Sequence, residues 1–169
     1  SVSRRGPWLV VNLVSAFMAG GVIACFRPQI EEFALLAVFT PIVASLGGNT
    51  GAQTLAVTIR SLATGELQPT DSWHVCFHEA AKGLINGCII GGIASGIAWM
   101  TTRHTLLAGV VFMASLMNMI LAGLIGAFIP LLLKRCHLDP AQSSSIFLTA
   151  FTDIVGFFLV LSLGAWLIL

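Results

Sequence analysis

Charge is what this 169-residue chain has least of. Only 9% of its residues are Asp, Glu, Lys or Arg, against about a quarter in soluble domains. With 57% hydrophobic residues, a soluble fold of this length could not hide its apolar surface in one core. A bilayer removes that problem, because lipid covers the outer faces of helices whose backbone is satisfied internally. The net charge of +1 is uninformative, and no basic tract points to a nucleic-acid partner.

Metal and catalytic signatures are missing too. Cys25, Cys76, Cys88 and Cys136 show no CxxC or Cys/His spacing, so they read as reduced packing residues rather than zinc ligands or a redox pair. His74 and His78 stand four apart, a helical pair without an HExxH or a cysteine partner. No Ser/His/Asp set, GxSxG or P-loop is present, and one intramembrane acid cannot form a protease dyad. These absences argue against an enzyme. The opening residues lack the basic region, short apolar core and cleavage site of a secretory leader. A start at Ser1 rather than Met leads us to expect cytoplasmic domains upstream of the 1–169 membrane domain.

What the chain has is long apolar runs. A span needs roughly 20 predominantly apolar residues in helix. Such runs extend from Trp8 to Phe26, Phe33 to Ala63, Gly83 to Thr102, Thr105 to Leu133 and Ser145 to Leu169. The expected fold is an all-α integral membrane protein of five transmembrane helices, the second broken by a Pro/Gly-rich segment. Lys and Arg accumulate on the cytoplasmic side. With the N-terminus inside, Arg4, Arg5, Arg60, Lys82, Lys134 and Arg135 fall inside, and Arg27 and Arg103 outside. The C-terminus is then outside. The stretch Ser61 to His78, polar and interrupted by Pro69, reads as an inner connection. No internal repeat suggests an inverted-repeat carrier. Gly87, Gly91, Gly92 and Gly96 in the third helix, and Gly123 and Gly126 in the fourth, read as small-residue packing surfaces.

Asp153 is the most informative residue. It lies about eight residues into the fifth helix, hence roughly 12 Å from its start at about 1.5 Å per residue. Phe151, Ile154, Val155, Phe157 and Phe158 surround it in sequence. A charge at that depth costs about 3 kcal/mol or more unless paired or hydrated, and every Lys and Arg lies near a membrane boundary. Its carboxyl is therefore protonated, bonded to neutral groups, or turned towards water and cations.

The second helix supplies polar groups for the last of these. Pro41 removes a helix hydrogen bond and frees a carbonyl. Gly47, Gly48, Asn49, Thr50, Gly51 and Gln53 then interrupt an apolar span. Irregular backbone at membrane depth is tolerated where it is buried or lines water, and carbonyl and amide oxygens there are hard ligands suited to Mg²⁺ or Ca²⁺. A tight helix crossing clamped by Asn and Gln explains the same residues equally well. Asn12, Asn86 and Asn118 add one amide each to the first, third and fourth helices. Ser145, Thr149, Asp153 and Gly156 share one face of the fifth helix, and Ser45 can complete the polar lining. Glu79 and Asp139 precede the third and fifth helices, placed either to cap them or to collect cations at the inner mouth. Glu31 and Glu32 sit at the outer mouth or in a solvated turn.

The ordered combination resembles the MgtE-type magnesium channel family. The carriers of the resemblance are Pro41 with Gly47 to Gln53 and Arg60, and the opening Arg5, Gly6, Pro7, Trp8 and Asn12. Glu79 with Gly83 and Gly87 is similar to the family's third-helix start. Asp139, Pro140 and Ala141 followed by Thr149, Asp153 and Gly156 resemble its fifth helix. Ser45 stands where many members have Gly, and Ser145 where a polar amide is usual.

The resemblance implies a homodimer of five-helix subunits in a bacterial inner membrane, with an ion path on the two-fold axis and cytoplasmic Mg²⁺-sensing domains, including a CBS pair, upstream. It implies Asp153 as the central pore residue holding hydrated Mg²⁺, two copies matching one divalent charge. Around it, the metal-binding set implied is Asn49, Gly48, Ser45, Thr149, Ser145 and Ala150. Gly47, Thr50, Gly51, Gln53, Asn86, Asn118 and Gly156 line or support the path, with Glu79 and Asp139 at the vestibule. Mn²⁺, Co²⁺ and Ca²⁺ are the competing ions. Two other functions fit the residues: an ion-coupled carrier of the same cations, and a non-conducting assembly subunit in which Asp153 clamps helices.

Overall fold

The computed structural model describes residues 2–68 and 72–169, with the side chains of 2–5, 72 and 142–143 excluded. Pro69 and the side chains of Arg4 and Arg5 therefore lie outside the described residues. The described chain is helical: α1 (Val2–Cys25), α2 (Arg27–Glu32), α3 (Leu35–Thr64), α4 (Ser72–Thr102), α5 (Thr105–Arg135) and α6 (Pro140–Leu167). All but α2 are long and apolar enough to cross a membrane.

Local chemistry sets the boundaries. Gly65, at φ +76°, ends α3 in the left-handed conformation that a side chain disfavours. The ring Nδ1 of His104 accepts from the Leu107 amide at 3.2 Å and starts α5. Asp139 caps α6 through the Ala141 amide at 3.0 Å, with Pro140 as the first helical residue. The short α2 carries an Arg27–Glu31 ion pair at 2.7 Å, fully on the surface.

Two expectations change. The connection expected from Ser61 to His78 is largely helix, because α4 begins at Ser72 and carries His74 and His78 on its first turns. Nor is the second span broken: α3 runs continuously through Pro41 and the glycines. Pro41 lacks the N–H that would bond the Ala37 carbonyl, and the helix continues across that one lost bond.

The most buried spans are α3 and α5, whereas α1 is almost wholly exposed. Helix α5 packs against α3, α4 and α6, and α1 packs chiefly against α6. Lipid offers helices no hydrophobic reason to associate, so close contact of small residues must hold them. At the α4–α5 crossing, a β-carbon at Gly83 would lie 2.5 Å from the Met119 carbonyl oxygen. One at Gly123 would lie 2.6 Å from the Glu79 carbonyl oxygen. Ser95 adds a hydrogen bond to the Ala108 carbonyl at 2.7 Å. Towards the α3 start, Leu36, Phe39, Val43, Val110, Val111 and Val160 form the main apolar core. Leu9, Phe17, Ile85, Ile89 and Ile93 are exposed, as lipid-facing side chains should be.

Candidate functional site: a polar seam between α3 and α6

Helices α3 and α6 pack antiparallel with Ala44 against Gly156, Gly48 against Thr152 and Gly51 against Leu148. The register is fixed by sterics. A β-carbon at Gly156 would sit 2.9 Å from Ala44 Cα, and one at Gly51 2.7 Å from Leu148 Cδ1. On the far side of this contact line, α5 closes in through Gly47 and Gly126.

The contact line decides what each helix leaves free. On α3, Ser45 and Asn49 flank it on the side away from α5, and both are exposed. Gln53, one turn further, is exposed as well. On α6, Ser145 and Thr149 are exposed and Asp153 is half-buried. Gly48 is half-buried beside them, whereas Ala150, expected with the metal-binding set, lines an apolar groove against α1 with Val11, Val14 and Ile154. A stripe of hydroxyls, amides and one carboxylate therefore runs along the α3–α6 pair. Among the described residues, nothing hydrogen-bonds or ion-pairs with the Asp153 carboxylate. No three His, Cys, Asp or Glu side chains gather anywhere among them. Oxygens of this kind, spread along a stripe, suit an ion that keeps its water.

Other residues of the expected set lie elsewhere. Asn118 is fully buried: its Nδ2 donates to the Val43 carbonyl at 3.0 Å and its Oδ1 has no partner. It fills the junction of α3, α5 and α6, touching the positions where Gly47 and Gly156 have no side chain. Thr50 is buried and returns its hydroxyl to the Leu46 carbonyl at 3.0 Å. Gly47, Gly51 and Gly156 are packing surfaces. Asp139 is occupied as a cap. Asn12 is exposed on α1, and Glu31 is held by Arg27.

Glu79 is not at the seam but in a second polar place. With Thr50, Gln53, Thr54, Lys82 and Asn86 it lines a cavity of about 180 Å³ between α3 and α4. Thr54 and Lys82 escape a reading of the sequence. The available signal was their helical spacing, Lys82 three residues after Glu79 and Thr54 four after Thr50.

Fold and seam together define a polytopic α-helical membrane protein with a polar stripe crossing the middle of its spans. The profile of the MgtE family, described as a divalent cation transporter, matches residues 40–163. The chain is 31% identical over 165 residues to the "Magnesium transporter MgtE" of Thermus thermophilus, covering 97% of this chain and 36% of that protein. The proteins of the same name from Bacillus subtilis and Enterococcus faecalis are each 29% identical, over 153 and 156 residues. They cover 90% and 92% of this chain, and 34% of each relative. This chain belongs to the MgtE family of divalent cation transporters and is a multi-pass membrane protein. It spans about a third of the length of the curated relatives it matches.

Proposed function

We propose that the chain is the pore-forming part of a Mg²⁺ channel, a homodimer in which the α3–α6 seams of two copies face one aqueous path. The observation that carries this reading is Asp153. A half-buried carboxylate in the middle of a span, without a bonded partner among the described residues, costs several kcal/mol in lipid. Beside water and a cation it is stable. Exposed Ser45, Asn49 and Thr149 present further oxygens on the same stripe, and they too are disfavoured against lipid. The relatives named as magnesium transporters support Mg²⁺ as the cargo.

In this reading Mg²⁺ moves with most of its waters. It sheds them reluctantly, so the carboxylate and the neutral oxygens act on the hydration shell. Two Asp153 side chains, one from each copy, balance one divalent charge. Cytoplasmic sensor domains of the longer protein would regulate the path.

Mg²⁺ uptake into proteoliposomes tests this, with Asp153→Asn and Asp153→Ala compared at equal dimer content. We expect both to fold and both to lose or alter flux. Equal flux in all three, with a weakened dimer, would make Asp153 a structural clamp and remove the proposed path. Single-channel current well above the turnover of carriers separates channel from coupled carrier.

A further inference from the structure

The cavity between α3 and α4 holds an ion pair, Glu79 with Lys82, near the start of α4. Glu79 is nearly buried, its side chain 12% exposed, whereas that of Lys82 is 53% exposed. Thr54 donates to one carboxylate oxygen at 3.1 Å, and the Lys82 ammonium donates to the other at 2.6 Å. The Glu79 backbone is pressed against Gly123 of α5, and the Thr54 hydroxyl holds the carboxylate. Lys82 sits on a flexible four-carbon stem whose head reaches open surface. A held carboxylate is thus neutralised by a movable cation.

The rest of the cavity is suited to a cation with a water shell. Gln53 and Asn86 contribute amide oxygens and Thr50 and Thr54 hydroxyls. A volume of about 180 Å³ holds several waters. Gln53 stands one turn beyond Asn49 on α3, so the cavity continues the seam towards the end of the bundle bearing Lys134 and Arg135.

We propose that this cavity is a second divalent-cation site, in which the Lys82 ammonium holds the place of the ion and a hydrated divalent cation displaces it from Glu79. The inference rests on the divalent-cation reading above. Lys82 is then a tethered competitor: it keeps the carboxylate neutralised when the ion is scarce and swings to the surface when the ion arrives. Glu79 binds the shell, Thr54 orients the carboxylate, and Lys82 sets the concentration at which the site fills.

Paramagnetic Mn²⁺ binding to the chain in lipid nanodiscs tests the proposal, on an Asp153→Asn background that removes the seam's own carboxylate. We expect that background to keep one Mn²⁺ site per chain. Adding Lys82→Gln should tighten it roughly threefold to tenfold, as loss of a partly exposed competing charge allows. Adding Glu79→Gln, which keeps an acceptor for Thr54, should abolish it. No binding in Asp153→Asn, no tightening with Lys82→Gln, or undiminished binding with Glu79→Gln would each overturn the proposal. If Glu79→Gln fails to fold by thermal unfolding, the Lys82→Gln arm decides alone. Mg²⁺ flux through the unmodified chain is read separately. A chain that passes no Mg²⁺ yet tightens with Lys82→Gln sinks the pore and keeps the cavity, and the reverse pattern does the opposite.

Discussion

Asn118 on α5 donates its amide to the main-chain carbonyl of Val43 on α3, 3.0 Å away and 75 residues earlier in the chain. The same side chain fills the space that Gly47 and Gly156 leave open, so one residue joins the three helices that set the seam. Asn118→Ala removes the bond and opens a cavity, and should lower stability by about 1–3 kcal/mol. Asn118→Leu restores bulk without the bond and should recover little of it. Thermal unfolding in detergent compares them.

The glycines divide into two groups with opposite expected signs. Gly83→Ala forces a methyl to within 2.5 Å of the Met119 carbonyl oxygen, a backbone atom that cannot step aside, and should cost about 1–3 kcal/mol. At Gly92 nothing lies within 4 Å of an added β-carbon. Gly92→Ala should therefore stabilise by about 0.4–1 kcal/mol through the unfolded chain alone. Denaturation midpoints of the two variants give the answer, and equal shifts would contradict the α4–α5 contact.

The proposed water path along the seam is open to direct measurement. With the four native cysteines replaced, single cysteines at Ser45, Asn49 and Thr149 should react with a membrane-impermeant thiol reagent. Cysteines at Ile85, Ile89 and Ile93, exposed on α4, should stay unlabelled because lipid covers them. Labelling at the isoleucines and protection at the seam would invert the assignment of the two faces. Added Mg²⁺ should slow labelling at Asn49 more than at Ser145.

Asp139 offers a separation of capping from conduction. Its carboxylate is bound to the Ala141 amide, so Asp139→Ala should cost about 0.5–2 kcal/mol as a lost cap. Asp139→Asn and Asp139→Ser keep an acceptor there and should restore most of it. If the two replacements restore stability but not Mg²⁺ flux, the charge itself serves the inner mouth.

The five spans were legible because each is a long apolar run, and Asp153 stood out because a charge has no cheap place within one. The short α2 was not, since its Arg27–Pro28 start reads equally well as a loop. The early start of α4 was hidden because His74 and His78 interrupt Trp73, Val75, Cys76 and Phe77 close to Pro69, so the stretch reads as part of a connection. Continuity of α3 through Pro41 was not legible because one lost hydrogen bond either ends or only kinks a helix, and the packing of α3 against α5 and α6 lies beyond local sequence. The amides posed the same difficulty. Asn49 and Asn118 look alike in sequence, yet one is exposed on the seam and the other buried in a three-helix junction. Only the tertiary contacts of Gly47 and Gly156 tell them apart. Glu79 carried a signal, but its partner Thr54 is 25 residues away, beyond any local pattern.

The position of α1 has a consequence for how the protein is made. Its chief neighbour is α6, with the Trp8 and Phe147 rings meeting edge to face at 6.4 Å. The ribosome delivers α1 well before α6, so α1 must wait for α6 before it has its chief partner. During that interval it stands alone in the bilayer, and its sequence suits the wait: between Pro7 and Phe26 there is no ionisable residue except Cys25. A nascent chain halted before Pro140 should therefore hold α1 unattached and open to crosslinking by lipid-soluble probes.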